Sequence, residues 1–291
     1  MNFRKYFCII FLLLAVIFSG TGCAMLKFGK IERQKRYRQY WKENVEVPEG
    51  DLEVGEVFHY KVIWLGMDVG KASLSISGNL GNNKKNGNNN NNNDNNNKGT
   101  YRILLTAETN KVFSLLFKVE GTVESIIEKE TFQPLRHSSE VTIGKKFVFK
   151  KMQYDFDKMM VYAEDKKGKY ELKIENPILE PLGIFYYFRL NPVKFNEPIN
   201  LEVSAGKRNY PLTLFVRRVK LLKVPAGRFW AFLVQPTEES ERQFDSVLNA
   251  PGTMQMWFSA DEKRIPLIVS LKVPFGTAQA VLSKIETHNL N

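Results

Sequence analysis

Cysteine and histidine are scarce in this sequence of 291 residues, which contains two cysteines and three histidines. Cys8 lies within an uncharged run near the N-terminus, and Cys23 follows that run. Removal of the leader would leave a single thiol, which excludes an intramolecular disulfide. Histidine is the commonest general base and a frequent metal ligand. His59 and His137 fall in strand-like segments and His288 lies near the C-terminus, so none of them is predicted to be catalytic.

The sequence motifs that mark well-known catalytic sites are also missing. The chain contains no G-x-S-x-G elbow, H-E-x-x-H helix, phosphate-binding loop or paired Cys-x-x-Cys. Their absence argues against the best-marked hydrolases, metalloproteases, nucleotide-binding proteins and zinc proteins. We therefore expect no catalytic residues, no metal and no cofactor, and we predict that the protein is not an enzyme.

The hydrophobic run at the N-terminus is too short to span a membrane. Residues 6–18 are thirteen residues without a charge, whereas a spanning helix needs roughly 20. Arg4 and Lys5 precede the run, and the small residues 19–22 follow it. This order of a basic start, an apolar run and a small-residue end is typical of an export signal.

Cys23 directly follows these small residues, and the arrangement resembles the bacterial lipobox. Residues 1–22 are then a lipoprotein signal peptide, and acylated Cys23 is the first residue of the mature chain, held in a bilayer by its lipid chains. Ala24 resembles the signal for transfer to the outer membrane, which predicts a cell-envelope protein on the periplasmic face of that membrane. The alternatives are cleavage without lipid and an uncleaved N-terminal anchor.

Positive charge is concentrated before the predicted domain. The formal net charge is +11. Without the two basic residues of 1–22, and without the seven basic residues and one acid of 27–42, 33 basic and 30 acidic residues remain, a net charge of +3. A nearly neutral domain argues against nucleic acid as a partner. Residues 23–52 are predicted to be a lipid anchor and basic stem that contacts anionic headgroups, with a solvated stem as the alternative.

Apolar and polar residues alternate along most of the remaining chain, as where serines separate Ala72, Leu74 and Ile76. This period of two is typical of strands with one buried face. Strands are predicted near 57–62 and 72–76, and at 101–108, 112–119, 122–127, 136–143, 147–156, 159–163, 169–174, 199–203, 210–219, 227–235, 254–258, 264–273 and 277–285. We expect a mainly all-β fold of antiparallel curved sheets, a sandwich or an open barrel, over residues 53–286, with a tail at 287–291.

Two segments depart from this alternation. Residues 81–99 include twelve asparagines among nineteen residues, a composition that predicts a disordered insert in a hairpin. Residues 182–190, between Pro181 and Pro192, are apolar on nearly every side. They are predicted to form one short helix that plugs or bridges two β halves.

Four stretches of the chain together resemble a family of exported bacterial proteins known as domain of unknown function 3108. The stretches are GEVFHYKVIWLGMDVG from Gly55, FYYFR from Phe185, VPAGRF from Val224 and MWFSADEKRIPL from Met256. The sequence departs from the family at Glu180 and Gly183, where aspartate and serine are expected. The resemblance covers roughly residues 53–286; it implies an envelope β protein and transfers no catalytic residues.

Three functions remain open from the sequence. The first is a membrane-tethered, non-enzymatic binding or structural module that contacts a glycan or another envelope macromolecule. The second is a carrier or sensor of a lipid-like ligand in a β cavity, and the third is a cell-envelope hydrolase. The residues predicted to contact such a ligand are Phe113, Phe117, Tyr186, Tyr187, Arg189, Trp230 and Trp257; ordinary core packing is the alternative for the aromatic ones.

Overall fold

The computed structural model describes residues 52–79, 99–129, 131–175, 178–204, 206–238, 240, 254–273 and 276–288. The predicted signal peptide, Cys23, nearly all of the stem and the asparagine-rich insert therefore lie outside the described residues. Within these ranges the fold is mainly β, and the predicted fold class is confirmed.

Strand formation follows the alternation in the sequence. In β1 the buried residues Phe58, Tyr60 and Val62 alternate with more exposed neighbours. The first eight strands are β1 (Glu56–Trp64), β2 (Met67–Asn79), β3 (Thr100–Thr109), β4 (Val119–Glu128), β5 (Pro134–Ile143), β6 (Lys146–Asp155), β7 (Met160–Asp165) and β8 (Gly168–Lys173). The next seven are β9 (Ile178–Leu179), β10 (Pro198–Ser204), β11 (Asn209–Val224), β12 (Gly227–Pro236), β13 (Met254–Ser259), β14 (Pro266–Val273) and β15 (Gly276–Thr287).

The fifteen strands of the described chain form one continuous sheet. Their order is β8-β7-β6-β5-β4-β3-β2-β1-β15-β14-β13-β12-β11-β10-β9. Neighbours are antiparallel except for the short parallel pair β9 and β10. The first and last long strands meet in the middle, where Val62 pairs with Ala280. Each half of the sheet is thus a meander of sequential hairpins, and the pairing of β1 with β15 joins the two halves.

A buried helix, α2 (Gly183–Leu190), fills the inside of the curved sheet. Every residue of α2 except Tyr187 is buried. Phe188 packs against Phe258 of β13, with ring centroids 5.4 Å apart, while hydrogen bonds described below join the helix region to β1 and β5. The predicted helix at 182–190 is therefore confirmed, and it contacts both halves of the sheet. A second, smaller core cluster lies beneath β6 to β8.

One predicted strand is wrong. Residues 112–119 contain α1 (Lys111–Phe117), a seven-residue helix between β3 and β4. The side chain of Asn110 accepts a hydrogen bond of 2.9 Å from the N–H of Phe113 and so caps the helix. Phe113 and Phe117, one helical turn apart, pack on the core. Neither α1 nor α2, the helices of the described ranges, is long and apolar enough to cross a bilayer.

Candidate functional site

A large depression lies on the solvent-facing side of the sheet. It is an open groove of about 1390 Å³ that crosses β1 to β4 and the adjoining part of β15. The α1 residues Ser114 and Leu115 line one end of it. Because its floor consists of outward-facing strand residues, the groove lies on the opposite face of the sheet from α2.

A row of small polar side chains crosses the floor of this groove. His59 is paired with Ser73, Ser73 with Thr106 and Thr106 with Thr122, on four neighbouring strands. The hydroxyls of Ser73 and Thr106 lie 2.8 Å apart in a hydrogen bond. Neighbouring strands are about 4.8 Å apart, so the row extends over roughly 15 Å. We call these four residues, His59, Ser73, Thr106 and Thr122, the hydroxyl row. Its hydroxyls can donate and accept hydrogen bonds, while Nε2 of His59 lies 3.1 Å from Glu286.

Charged side chains flank the hydroxyl row, and they neutralise one another. Lys71 lies 2.9 Å from Glu108, and Lys118 lies 2.8 Å from Glu120. Hydrogen bonds to these glutamates raise the pKa of both lysines, so the lysines remain charged at neutral pH. Lys61 is 3.7 Å from Asp68. Because three of its lining lysines are paired with acids in this way, the groove offers no strong field of one sign to an ion or a nucleic acid.

A second polar group lies inside the fold, at the start of α2. Ser125 of β4 and Glu180 each place an oxygen 3.0 Å from Nδ1 of His137 on β5. The same Glu180 oxygen accepts a hydrogen bond of 2.7 Å from the N–H of Leu182. In a catalytic triad the serine and the acid contact opposite ring nitrogens, whereas here both contact one. All three side chains are buried, and they attach the start of α2 to β4 and β5.

The other end of α2 is attached through Arg189. Its Nη2 donates to Glu56 of β1 at 2.7 Å, and its Nε donates to the carbonyl of Lys263 at 3.1 Å. Both partners of the ion pair are only 2% exposed. Burial raises the pKa of Glu56, and the Arg189 guanidinium opposes that rise. The guanidinium also lies 5.2 Å from the ring centroid of Phe58. Arg189 is thus enclosed in the core and does not point into the groove.

The space left beside α2 is small. A recess of about 40 Å³ is lined by Glu180, Tyr186, Tyr187 and neighbouring residues. The second carboxylate oxygen of Glu180 and the hydroxyl of Tyr186 have no hydrogen-bond partner among the described residues. A water molecule occupies about 30 Å³ in the liquid. The recess can therefore hold water and is far too small for a lipid chain.

A family model matches nearly the whole of the β domain. The model describes a protein of unknown function, DUF3108, and matches residues 59–283. The chain belongs to the DUF3108 family. The predicted family is thereby confirmed. No protein of curated function matches the sequence.

Two solved structures resemble the DUF3108 chain at low sequence identity. One is a β-barrel-like protein of domain of unknown function DUF1849 from Brucella abortus, with a TM-score of 0.49 and 10% identity over 81% of this chain and 99% of that chain. The other is a protein with a YmcC-like fold from Bacteroides fragilis, with a TM-score of 0.30 and 7% identity over 83% of this chain and 100% of that chain.

The DUF3108 structure distributes the seven predicted ligand contacts over separate places. Phe113 and Phe117 lie in α1, while Tyr186 and Tyr187 line the recess beside α2. Trp257 is buried on β13 beneath the Nζ of Lys220, 4.2 Å from its ring. The two other residues predicted as contacts are Trp230, half-buried on β12 and packed on the core, and Arg189 in its ion pair.

Sequence reasoning missed the residues that form the groove. Single serines and threonines on the polar side of a strand are common, so Ser73, Thr106 and Thr122 carry no signal of their own. His59 was recognised only as a strand histidine. They form one row because of the register between four strands, and the alternation pattern does not determine that register.

Proposed function

We propose that this DUF3108 protein is a non-enzymatic binding module of the bacterial cell envelope, tethered to a membrane through acylated Cys23. Its ligand, in this proposal, is an uncharged, hydroxyl-rich polymer, that is, a glycan chain, which lies in the solvent-facing groove. The single observation that carries the proposal is the hydroxyl row on the floor of the groove.

The chemistry of the groove supports a neutral polar ligand. Hydroxyl groups both donate and accept hydrogen bonds, as the hydroxyls of a sugar do. The lysines beside the row are paired with acids, so an anionic ligand would have to displace existing ion pairs. The open shape allows a polymer to pass across β1 to β4 without threading through the protein.

Other features support binding in place of catalysis or lipid transport. The buried Ser125, His137 and Glu180 do not have the geometry of a triad and are closed to solvent. The recess beside α2 is too small for a lipid chain, so carriage of a lipid there would require α2 to move out.

Binding of purified envelope glycans, measured by calorimetry on the full chain, tests the proposal. The double variant Thr106→Val, Thr122→Val keeps the side-chain shape and removes two hydroxyls from the row. Loss of two hydrogen bonds of about 1 kcal/mol each should weaken binding roughly thirtyfold. Thr213→Val, which removes the hydroxyl of a partly exposed threonine on β11 in the other half of the sheet, is the matched control and should bind like the parent.

Equal glycan affinity of the groove variant and the Thr213→Val control would show that the groove is not the glycan-binding site. If neither peptidoglycan fragments nor envelope polysaccharides bind the parent chain, the glycan proposal is wrong.

A further inference from the structure

Exposed apolar side chains gather at one end of the sheet. Nine large apolar side chains of the described residues are more than a third exposed, and six of them lie at this end. We call these six the apolar edge: Leu65 (54% exposed), Met67 (46%), Val112 (69%), Leu115 (88%), Leu116 (79%) and Phe147 (42%). Single exposed apolar residues are ordinary, whereas a group of them marks an interaction surface.

Strand register places the members of the apolar edge together. Leu65 is in the β1–β2 turn, where Trp64 pairs with Met67. Gly70, three residues into β2, pairs with Thr109 just before α1. Immediately after α1, the carbonyl of Lys118 accepts a hydrogen bond of 2.7 Å from Gly144 in the β5–β6 turn.

The helix α1 is fixed in place, so its exposed side chains are held outward. Asn110 donates from its side chain to the carbonyl of Asp68 at 2.7 Å, which joins the start of α1 to β2. Phe113 and Phe117 face the core. The intervening Leu115 and Leu116 therefore point to solvent.

Leu65 occupies a position that does not suit leucine. The two central residues of the β1–β2 turn, Leu65 and Gly66, have φ angles of +51° and +78°. A two-residue turn with both angles positive favours asparagine or glycine, and a leucine in the left-handed region is strained. The chain thus keeps a large, half-exposed apolar side chain at the tip of the turn despite backbone strain.

Lysines surround the apolar edge. The segments 65–68, 110–120, 144–147 and 165–169 contain seven lysines and three acidic residues, a net charge of +4, with Lys118 paired to Glu120. Turns at the opposite end of the sheet mix the two signs, as in Lys194 with Glu197. Apolar side chains ringed by lysines match the interface of an anionic bilayer, where the side chains enter the acyl region and the ammonium groups meet the headgroups.

We propose that the apolar edge inserts into the surface of an anionic lipid bilayer and that its lysines contact the headgroups. The apolar edge adjoins the groove at Leu115 but contains no residue of the hydroxyl row, and the proposal stands without the glycan. The described chain begins at Leu52, at the end of the sheet opposite the edge. The 28 residues from Cys23 to Gly50 would reach roughly 95 Å when extended, and strands of ten to thirteen residues are about 33–43 Å long. The edge can therefore reach the membrane that holds the stem.

The test uses the full chain with Cys8→Ser and Cys23→Ser, so that an introduced cysteine is the only thiol. This chain is reconstituted into vesicles of phosphatidylglycerol and phosphatidylcholine. An environment-sensitive fluorophore on Leu116→Cys should shift its emission to the blue and be quenched by brominated lipid. The same fluorophore on Leu221→Cys, an exposed leucine near the opposite end, should report water and no quenching.

Two variants separate insertion from loss of folding. In the chain labelled at position 116, Leu115→Ser should lower the ratio of inserted to water-exposed label about tenfold, because the leucine that is 88% exposed in the protein no longer enters the bilayer. Leu65→Asn relieves the turn and should raise the melting temperature while it reduces insertion. A misfolded protein cannot show that opposite movement of stability and insertion.

Three results would overturn the proposal. The first is that the label at 116 is quenched no more than the label at 221. The second is that quenching is the same with and without phosphatidylglycerol. The third is that the label at 116 already reports an apolar environment before lipid is added; sedimentation then shows whether a second copy or another part of the same chain covers the edge.

Discussion

Replacement of Arg189 by methionine tests whether the buried ion pair with Glu56 holds α2 in the sheet. Methionine keeps an apolar stem of similar length and removes the charge together with the hydrogen bonds to Glu56 and to the Lys263 carbonyl. A buried carboxylate left without its partner costs about 3–5 kcal/mol. At about 2–4 °C per kcal/mol for a domain of this size, the melting temperature should fall by about 6–20 °C.

The deficit of this variant should depend on pH, and the sign follows from Glu56. Burial already raises the pKa of Glu56 above its ordinary value of 4.5, and Arg189 opposes the rise; without Arg189 the pKa rises further. Below pH 4.5 Glu56 is neutral in the folded and unfolded states, so the penalty is small. The penalty grows as the pH rises from 4.5 through the raised folded-state pKa of Glu56. Over this range the unfolded state releases the proton freely, whereas the folded state must either keep the proton or bury a charge.

Thermal unfolding followed by circular dichroism at pH 4 and pH 8 measures this effect. The double variant Glu56→Leu, Arg189→Met replaces both charges by apolar groups and should lose much less than the sum of the two single variants. Surface substitutions typically change stability by roughly 0.5 kcal/mol, which corresponds to about 2 °C in melting temperature. If Arg189→Met melts within that interval of the parent, the reasoning is refuted. Strict additivity in the double variant would refute it as well.

Three further predictions concern the sheet. Replacement of residues 81–99 by a short glycine-containing turn should leave the melting temperature unchanged or raise it, because a shorter loop costs less entropy to close and β2 and β3 pair directly with each other; a failure to fold would show that the segment contains a structural element. Gly70→Ala should destabilise the domain by about 1–3 kcal/mol in urea unfolding, because its Cβ would lie 2.3 Å from the Glu108 carbonyl oxygen; wild-type stability would contradict the close approach of β2 to β3 at this position. Hydrogen bonds from Lys284 and His59 lower the pKa of Glu286 to about 2, so the stability they give is present at neutral pH and is lost as the pH falls through 2. In Lys284→Met the NMR titration midpoint of Glu286 should rise, and an unchanged midpoint would exclude the contact.

The sequence was sufficient to predict the elements with the clearest patterns. Ala72, Leu74 and Ile76 are buried between serines as the alternation predicts. Helix α2 was predictable because its residues are apolar all round and prolines bound it. Helix α1 was missed because its run of valine, phenylalanine and leucine also favours a strand. The signals that identify it are the cap at Asn110 and the spacing of four between Phe113 and Phe117.

The arrangement of the sheet was not predictable from local patterns. β1 pairs with β15 across more than two hundred residues, and no turn between them sets the register. The groove depends on such registers, since one residue of slip would turn Thr106 from the solvent face to the core. His137 and Glu180 look like surface residues in the sequence, and their burial reflects the position of α2. Long-range packing therefore decides which polar residues meet.

The tether is tested most directly by intact-mass and peptide mass spectrometry of the protein extracted from the membranes of the native cell. The account predicts a mature chain that begins at Cys23, with a diacylglyceryl group on its sulfur. A native chain that is soluble, unmodified and still begins at Met1 would contradict the membrane-tethered function proposed for this protein.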